Sequence, residues 1–278
     1  MTTEHADPKD HVLRQRGSAM LLGAAIGDAL GWPHEMRARR SDGRGSRPEL
    51  AFVRWTKRSG GRFQAYEERI EAGSYSDDTQ MIIAVGRSII RSRRQWWETF
   101  AHQELPFWTL YERGGGGATK RSAGSWASGR APWNGKSTDA ARYFEAGGNG
   151  VAMRILPHVI RRATDPDFSV LAQDVVTDGV CTHGHPRALV GALAYAYALW
   201  VSIRHRGTLG FGEILDKTKL SESEWGAIPN IVERWADWRA AADRSGEYLS
   251  VWNEAVIEQR TLLQRGGGSA RRRRCQLR

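Results

Sequence analysis

The sequence predicts an all-α protein, a compact single domain of several helices. Apolar residues recur at every third or fourth position in several segments, as they do on the buried face of a helix. No segment of any length alternates apolar and polar residues as a half-buried strand does, and no internal repeat is visible. The 278 residues are 40% apolar, which is enough for one hydrophobic core at this length.

The first predicted helix is Lys9–Gly31. Gly23, Gly27 and Asp28 lie on one face, at intervals that allow a second helix to approach closely. Pro33 is expected to end this helix, because proline disfavours the helical conformation in the residue before it. The residues after Pro33 are therefore expected on a loop.

The second predicted helix is Gln80–Ile90, where apolar residues again recur at helical spacing. Ser76 and Asp77 precede it, and their side-chain oxygens suit an N-cap because they accept hydrogen bonds from the free backbone N–H groups. Between the two helices lies a loop-rich stretch, residues 37–75, in which Phe52–Trp55 suggests a short extended piece.

Further helices are predicted along the rest of the chain. The tryptophan-rich stretch Gln95–Tyr111 is helical with an interruption at Pro106. Four glycines, Gly114–Gly117, then form a loop without side chains to obstruct a ligand. The remaining predicted helices are Thr119–Ser128, Val151–Arg162, Ser169–Cys181, Pro186–Arg206, Ser223–Ala242 and Glu247–Leu263.

The longest apolar run, Ala188–Ile203, predicts a buried helix rather than a membrane span, since it is shorter than the roughly 20 residues that a span needs. The N-terminus lacks the pattern of a signal peptide. The two cysteines, Cys181 and Cys275, cannot form a disulfide framework and suit a reducing compartment. We therefore expect a cytoplasmic protein that does not enter a membrane.

The net charge of +10 is concentrated at one end of the chain. Residues 271–278 contain five arginines and no acid, so they carry half of the excess. Residues 264–278 consist largely of glycine and arginine and have no apolar periodicity, which predicts a disordered tail after a folded domain over residues 1–263. The hypothesis of nucleic-acid binding rests on this tail alone. The remaining positive charge, spread over the domain, suits an anionic small-molecule substrate as well as a nucleic acid.

Two acidic motifs contain candidate cation-binding or catalytic residues. In Gly27–Glu35, Asp28 either satisfies backbone groups or meets a cation, and Glu35 is either a surface acid or a cleft residue. In Ser76–Met81, two adjacent carboxylates lie between hydroxyl groups, an oxygen-rich set that suits Mg²⁺ or Ca²⁺. The same residues are also typical of a plain helix N-cap with acids favoured by the helix dipole.

Two further motifs suggest an anion site. Gly148–Arg154 places a glycine turn before a helix, which can present backbone N–H groups to a phosphate or can be a tight turn without a ligand. In Cys181–Pro186, the spacing of Cys181, His183 and His185 matches no common zinc site. A histidine that donates to phosphate, or a structural helix cap, explains it better.

Together and in this order, these motifs resemble the ADP-ribosylglycohydrolase family. The resemblance covers roughly residues 12–263. It rests on Gly23-x-x-x-Gly27-Asp28-Ala29-x-Gly31-x-Pro33-x-Glu35, Tyr75-Ser76-Asp77-Asp78-Thr79-x-Met81, Gly148-Asn149-Gly150-x-x-Met153-Arg154-x-x-Pro157 and Thr182-His183-x-x-Pro186.

The resemblance implies a compact all-α domain with two Mg²⁺ ions at the mouth of a cleft. It implies hydrolysis of the glycosidic bond between ADP-ribose and an acceptor, either a protein side chain or a small molecule. Ser76, Asp77 and Asp78 would be metal ligands, and Glu35 would lie beside the metals for acid/base work, with Asp77 and Asp78 also catalytic. The ADP-ribose diphosphate and nearby ribose would contact Gly148, Asn149, Gly150 and His183, and the loop Gly114–Gly117 would line the pocket.

The sequence departs from the family near its C-terminus. The family has a Gly-x-Asp-Ser/Thr-Asp-Thr motif there, which supplies the other half of the metal site, whereas no aspartate follows Asp243 here. We expect either a truncated or frameshifted reading frame, or a genuine short variant that binds ADP-ribose without turning it over or completes its site from a partner. With Ser76, Asp77 and Asp78 alone, a second Mg²⁺ would have few ligands and hydrolysis would be impaired. The alternative function is an ADP-ribose-binding protein without catalysis.

Overall fold

The computed structural model describes residues 8–38, 50–59, 66–134, 138–210, 212–214 and 217. It confirms the all-α fold class, with one small two-stranded sheet. The helices are α1 Pro8–Ala38, α2 Asp77–Arg91, α3 Trp96–Thr99, α4 Leu105–Trp108, α5 Gly117–Ala127, α6 Thr138–Phe144, α7 Leu156–Arg161, α8 Ser169–Val180 and α9 Pro186–Arg204. The predicted helices Ser223–Ala242 and Glu247–Leu263 and the predicted tail 264–278 lie outside the described residues.

Helix α1 is longer than predicted, because Pro33 lies inside it. Trp32 and Pro33 are buried, and the ring of Trp32 meets that of Trp55 edge to face at 5.2 Å. This packing offsets the local cost of a proline within a helix. The expectation that Pro33 ends the helix was therefore wrong, and Glu35 lies on α1 rather than on a loop.

The glycine face of α1 has no close neighbour in the described part of the chain. A Cβ atom built on Gly23, Gly27 or Gly31 would meet nothing within 4 Å there. The predicted close approach of a second helix to this face is thus not seen among the described residues. Asp28, on the same helix, instead contacts the start of α2.

The sheet is an antiparallel hairpin of β1, Trp55–Ser59, and β2, Tyr66–Ile70. A short extended piece was predicted at Phe52–Trp55, but the pairing of two strands was not. Oppositely charged residues face each other across the hairpin, with Lys57 opposite Glu68 and Arg58 opposite Glu67. Such pairs stabilise a hairpin but give no apolar alternation to detect.

The core lies where α2 packs on α7 and where α8 packs on α9. α2 contributes Met81, Ala84 and Val85, all fully buried. α8 and α9 start where the sequence predicted and end within two residues of the prediction. α9 is long and apolar enough to cross a membrane by length and composition alone, and one face of it is buried in this core.

The tryptophan-rich stretch stays helical through Pro106, contrary to the predicted interruption. A π-helical segment, Phe100–Glu104, joins α3 to α4, and Pro106 falls in the first turn of α4. Conversely, the predicted helix Val151–Arg162 is broken into a 3₁₀ turn, Ala152–Arg154, and the short α7.

Candidate active site

Asp28 joins α1 to the first turn of α2. Its carboxylate accepts the backbone N–H of Ser76 at 3.0 Å and that of Thr79 at 3.0 Å. It also accepts the Thr79 hydroxyl at 2.6 Å. Backbone N–H groups at a helix start lack partners within the helix, so Asp28 satisfies two that would otherwise be unpaired. Of the two roles that the sequence left open for Asp28, the structure bears out the structural one.

Ser76 is the N-cap of α2. Its hydroxyl accepts the backbone N–H of Asp78 at 3.2 Å, and the residue is only 2% exposed. Asp77 is also buried and donates its backbone N–H to the Arg113 carbonyl at 2.9 Å. The N-cap interpretation is therefore confirmed for Ser76. A capping oxygen keeps a second lone pair, so the cap does not contradict the predicted metal contact.

Asp28, Glu35, Asp77 and Asp78 form one electrostatic group, here named the carboxylate cluster. Glu35 follows Asp28 by two helical turns, so both residues lie on one face of α1. Burial, together with the charges of Asp78, Glu35 and Asp28, raises the pKa of Asp77 to about 7, with a backbone hydrogen bond partly opposing the shift. Burial, Asp28 and Glu35 raise the pKa of Asp78 to about 6.

The carboxylate cluster has the chemistry of a cation site but an incomplete set of ligands. Its oxygen donors suit Mg²⁺, and a cation would relieve the mutual repulsion that raises the two pKa values. Among the described residues, however, no group of three or more His, Cys, Asp or Glu side chains is arranged to hold a metal ion. The residues present thus fit Mg²⁺ in donor type, but the described residues do not by themselves form a metal-binding group.

The loop Gly114–Gly117 runs past Asp77 and leads into α5. A Cβ atom on Gly114 would lie 3.7 Å from Asp77 Oδ1 and 3.2 Å from the indole nitrogen of Trp32. Gly114 also has a φ of 90°, a conformation that favours glycine. The loop therefore passes close to the carboxylate cluster.

The glycine turn that precedes Val151 packs on His183. A Cβ atom on Gly150 would lie 2.7 Å from Cε1 and 3.0 Å from Nε2 of His183, and 3.3 Å from Thr119 Oγ1. Only a residue without a side chain fits there. Gly148 and Asn149 are exposed on the same turn. Since Thr119 lies in the first turn of α5, the segment Gly114–Thr119 connects the carboxylate cluster to this turn.

His183 is buried and electrically neutral at ordinary pH. It is 2% exposed, and its Nδ1 lies 2.7 Å from the hydroxyl of Thr182. Burial and the neighbouring Arg154 lower its pKa to about 3. The ring is therefore a fixed neutral group beside the glycine turn.

The other members of Cys181–Pro186 are structural. The side chain of His185 accepts the backbone N–H of Arg187 and caps α9. Cys181 is buried, its thiol donates to the Thr177 carbonyl, and burial raises its pKa far above the ordinary thiol value. Cys181 and His185 therefore have separate hydrogen-bond partners.

Three buried residues near His183 were not assigned a role from the sequence. Arg154 and Asp178 form a fully buried ion pair, with Nε 2.6 Å from Oδ1. His158 Nε2 lies 3.0 Å from the other oxygen of Asp178. Arg154 belongs to the motif Gly148–Arg154, but nothing in the sequence indicated that its charge would be buried. Burial and the charge of Asp78 raise the pKa of Tyr195, on α9.

A surface cavity of about 380 Å³ lies at the opposite end of α2 and contains none of the predicted site residues. It is lined by Arg87, Arg91, Gln103, Glu104 and Phe107. The buried carboxylate of Glu104 pairs with both arginines, at 2.6 Å and 2.8 Å. This cavity is separate from the carboxylate cluster along the helix axis.

Comparison with known proteins places the chain in a family. The model of the family described as ADP-ribosylglycohydrolase matches residues 9–271, which is most of the chain. A search of the curated proteins finds no match.

Proposed function

The chain belongs to the ADP-ribosylglycohydrolase family, and from that premise we propose that it cleaves ADP-ribose from an acceptor at the carboxylate cluster, with Mg²⁺. The family match supports glycosidic-bond hydrolysis on ADP-ribosyl substrates in general. The metal, the site residues and the acceptor are parts of the proposal. The acceptor is an ADP-ribosylated protein or a small ADP-ribose conjugate.

One observation carries the proposal. The segment Gly114–Thr119 starts beside Asp77 and ends beside Gly150 and His183. A group of carboxylates and a turn suited to anions therefore border the same loop. A ligand with a sugar next to a diphosphate needs both kinds of surface at short range.

The glycine turn is the proposed diphosphate and ribose site. Exposed backbone at Gly148 and Asn149 offers N–H groups to anionic oxygens, and the missing side chain of Gly150 lets the His183 ring pack against the turn. His183 adds a neutral ring nitrogen on the inner side. Binding of the diphosphate here would hold the ribose in place for reaction at its C1″ carbon.

The carboxylate cluster is the proposed reaction centre. Ser76, Asp77 and Asp78 would hold Mg²⁺, which when bound orients ribose hydroxyls and lowers the pKa of a water molecule. Asp77 and Asp78 stabilise the positive charge that develops on the ribose as the bond to the acceptor breaks. Glu35, exposed at the edge of the cluster, accepts the proton of the attacking water and returns it to the leaving group.

A second Mg²⁺ would be weakly held, and turnover would be slow. Among the described residues, no group of three or more His, Cys, Asp or Glu side chains is arranged to hold a metal ion. The same observation favours the second candidate function, an ADP-ribose-binding protein without catalysis. Both functions use the same pocket and differ only in the release of product.

Release of ADP-ribose from defined conjugates distinguishes the two functions. Arginine-linked, serine-linked and small-molecule conjugates are incubated with the protein, with and without Mg²⁺, and free ADP-ribose is quantified. The proposed hydrolase releases ADP-ribose from at least one conjugate, and only with Mg²⁺. Asp77→Asn abolishes release, whereas Glu67→Gln on the hairpin leaves it unchanged. Binding of ADP-ribose without release from any conjugate selects the binding protein, and absence of both rejects the proposal.

A further inference from the structure

Arg154 makes an unusually complete set of buried hydrogen bonds. Its Nε donates to Asp178 Oδ1 at 2.6 Å, and its Nη1 donates to the Gly150 carbonyl at 2.7 Å. Its Nη2 donates to the Asp178 carbonyl at 2.9 Å and to the Thr182 hydroxyl at 2.8 Å. One face of the guanidinium lies 5.1 Å from the ring centre of Phe100, in the π-helical segment. The group is therefore fixed in position and orientation.

These bonds determine the direction of the next hydrogen bond in the chain. A guanidinium group can only donate, so the oxygen of Thr182 accepts from Arg154. The hydroxyl proton of Thr182 is then available for the His183 Nδ1 atom, 2.7 Å away. The Thr182 oxygen has a second lone pair, but among the hydrogen bonds of the described residues Nδ1 is the one acceptor for the hydroxyl proton, so Nδ1 accepts it and carries none of its own. In a neutral imidazole the hydrogen then resides on Nε2.

Because Nε2 lies beside the glycine turn, this tautomer determines which hydrogen-bonding group a ligand at the turn would meet. A Cβ atom on Gly150 would lie 3.0 Å from Nε2, so this nitrogen faces the glycine turn. Arg154 also holds the carbonyl of Gly150, so one side chain fixes both the turn and the histidine opposite it. Asp178 keeps Arg154 in place, and His158 occupies the second oxygen of Asp178 at 3.0 Å.

We propose that Arg154, acting through Thr182, fixes His183 as the neutral Nε2–H tautomer, so that the ring presents one hydrogen-bond donor to an acceptor oxygen held at the glycine turn. Arg154 and Thr182 are positioning residues, and His183 binds rather than transfers protons. That the acceptor oxygen belongs to ADP-ribose rests on the proposed function. The tautomer itself does not.

Nitrogen NMR of the ligand-free, full 278-residue chain tests the tautomer directly. Histidine is labelled with ¹⁵N, and His183 is assigned by the loss of its signals in His183→Gln. Long-range ¹H–¹⁵N spectra show which ring nitrogen carries the proton. We expect protonated Nε2 and a hydrogen-bonded, unprotonated Nδ1 throughout about pH 5 to pH 8. A protonated Nδ1, or a doubly protonated ring at the lower end of that range, would overturn the inference.

Two substitutions at Thr182 test whether Arg154 acts on His183 through the Thr182 hydroxyl. Thr182→Val removes the hydroxyl and keeps the shape, whereas Thr182→Ser keeps the hydroxyl. We expect the Nδ1 signal to move toward that of a nitrogen without a hydrogen bond in the valine variant and to stay in place in the serine variant. Arg154→Lys keeps the charge but loses the planar fork, so it should also move the signal. The positioning role would be contradicted if the Nδ1 chemical shift kept its wild-type value in both Thr182→Val and Arg154→Lys while circular dichroism showed that both variants are folded.

Calorimetry on the same proteins separates this inference from the proposed function. Thr182→Val should weaken ADP-ribose binding by about 10-fold, the scale of one hydrogen bond, and Thr182→Ser by no more than about twofold. If the spectra show the Nε2–H tautomer but the wild-type chain does not bind ADP-ribose, the tautomer stands and the proposed function fails. If the chain binds ADP-ribose but Nδ1 carries the proton, the proposed function stands and the inferred tautomer is wrong.

Discussion

The carboxylate of Asp28 accepts both the backbone N–H and the hydroxyl of Thr79, at 3.0 Å and 2.6 Å. This pair fixes the start of α2 against α1. The direction in which Asp77 and Asp78 leave the helix therefore depends on a residue almost fifty positions earlier in the sequence.

Asp28→Asn should destabilise the protein. The amide keeps the shape of the carboxylate, but its nitrogen cannot accept the hydrogen bonds that Asp28 accepts. Leaving such groups unpaired costs about 1–3 kcal/mol, which lowers Tm by several degrees. Thermal unfolding followed by circular dichroism measures the change. Glu67→Gln, on the exposed hairpin, is the control and should leave Tm unchanged within about 1 °C. An unaltered Tm in Asp28→Asn would mean that the contact does not stabilise the helix start.

Asp77→Asn should stabilise the metal-free protein at alkaline pH. The folded-state pKa of Asp77 is raised from 3.8 to about 7. Between these values the folded state holds a proton that the unfolded state has lost, so stability falls as pH rises through this window. Below about pH 4 the penalty is absent, and above about pH 7 it is complete. Removing the charge should raise Tm by a few degrees at pH 8 and leave it unchanged near pH 4.

The matching measurement is a series of thermal scans from pH 4 to pH 8 in a buffer with a chelator. The difference in Tm between Asp77→Asn and the unsubstituted chain should grow with pH. A difference independent of pH would show that Asp77 is not the titrating group.

Mg²⁺ should stabilise the protein more at pH 8 than at pH 5.5. Protons compete with the metal for Asp77 and Asp78, whose pKa values lie at about 7 and about 6. The stabilisation should be lost in the double variant Asp77→Asn/Asp78→Asn. Calorimetry at pH 6.5, in two buffers with different ionisation enthalpies, should show protons released as Mg²⁺ binds. A Tm shift of equal size at both pH values would place the bound metal elsewhere.

Gly150→Ala and Gly148→Ala form a matched pair. A methyl group on Gly150 would lie within 3.0 Å of the His183 ring, whereas one on Gly148 would meet nothing within 4 Å. The first substitution must displace the turn or the ring and should cost about 1–3 kcal/mol of stability. It should also weaken ADP-ribose binding by at least about 10-fold. Gly148→Ala should leave the stability unchanged, and an equal loss of stability in the two variants would contradict the geometry.

Elements with strong local signals were predicted well. Ser76 before an apolar periodic run located the start of α2 within a few residues, and the apolar run after Pro186 located α9. The errors at Pro33 and Pro106 share one cause. The proline rules describe local preference, whereas burial of Trp32 and the position of Pro106 in a first helical turn decide the outcome here.

The sequence indicated which residues belong to the candidate site but not how they are arranged in space. The sequence singled out the members of the carboxylate cluster, the glycine turn and His183, because their motifs are local. It did not assign the ion pair of Arg154 with Asp178, since charged residues are ordinarily exposed and only the fold shows that these two are buried together. The link through Gly114–Thr119 likewise needs the tertiary structure.

The most direct test of the account is the affinity for ADP-ribose, measured by calorimetry with and without Mg²⁺ on the unsubstituted chain, Asp77→Asn and His183→Gln. If the carboxylate cluster and the glycine turn form one site, Mg²⁺ tightens ADP-ribose binding in the unsubstituted chain. Asp77→Asn then removes that effect of Mg²⁺, and His183→Gln weakens binding whether or not the metal is present. An ADP-ribose affinity that neither substitution changes would contradict the account.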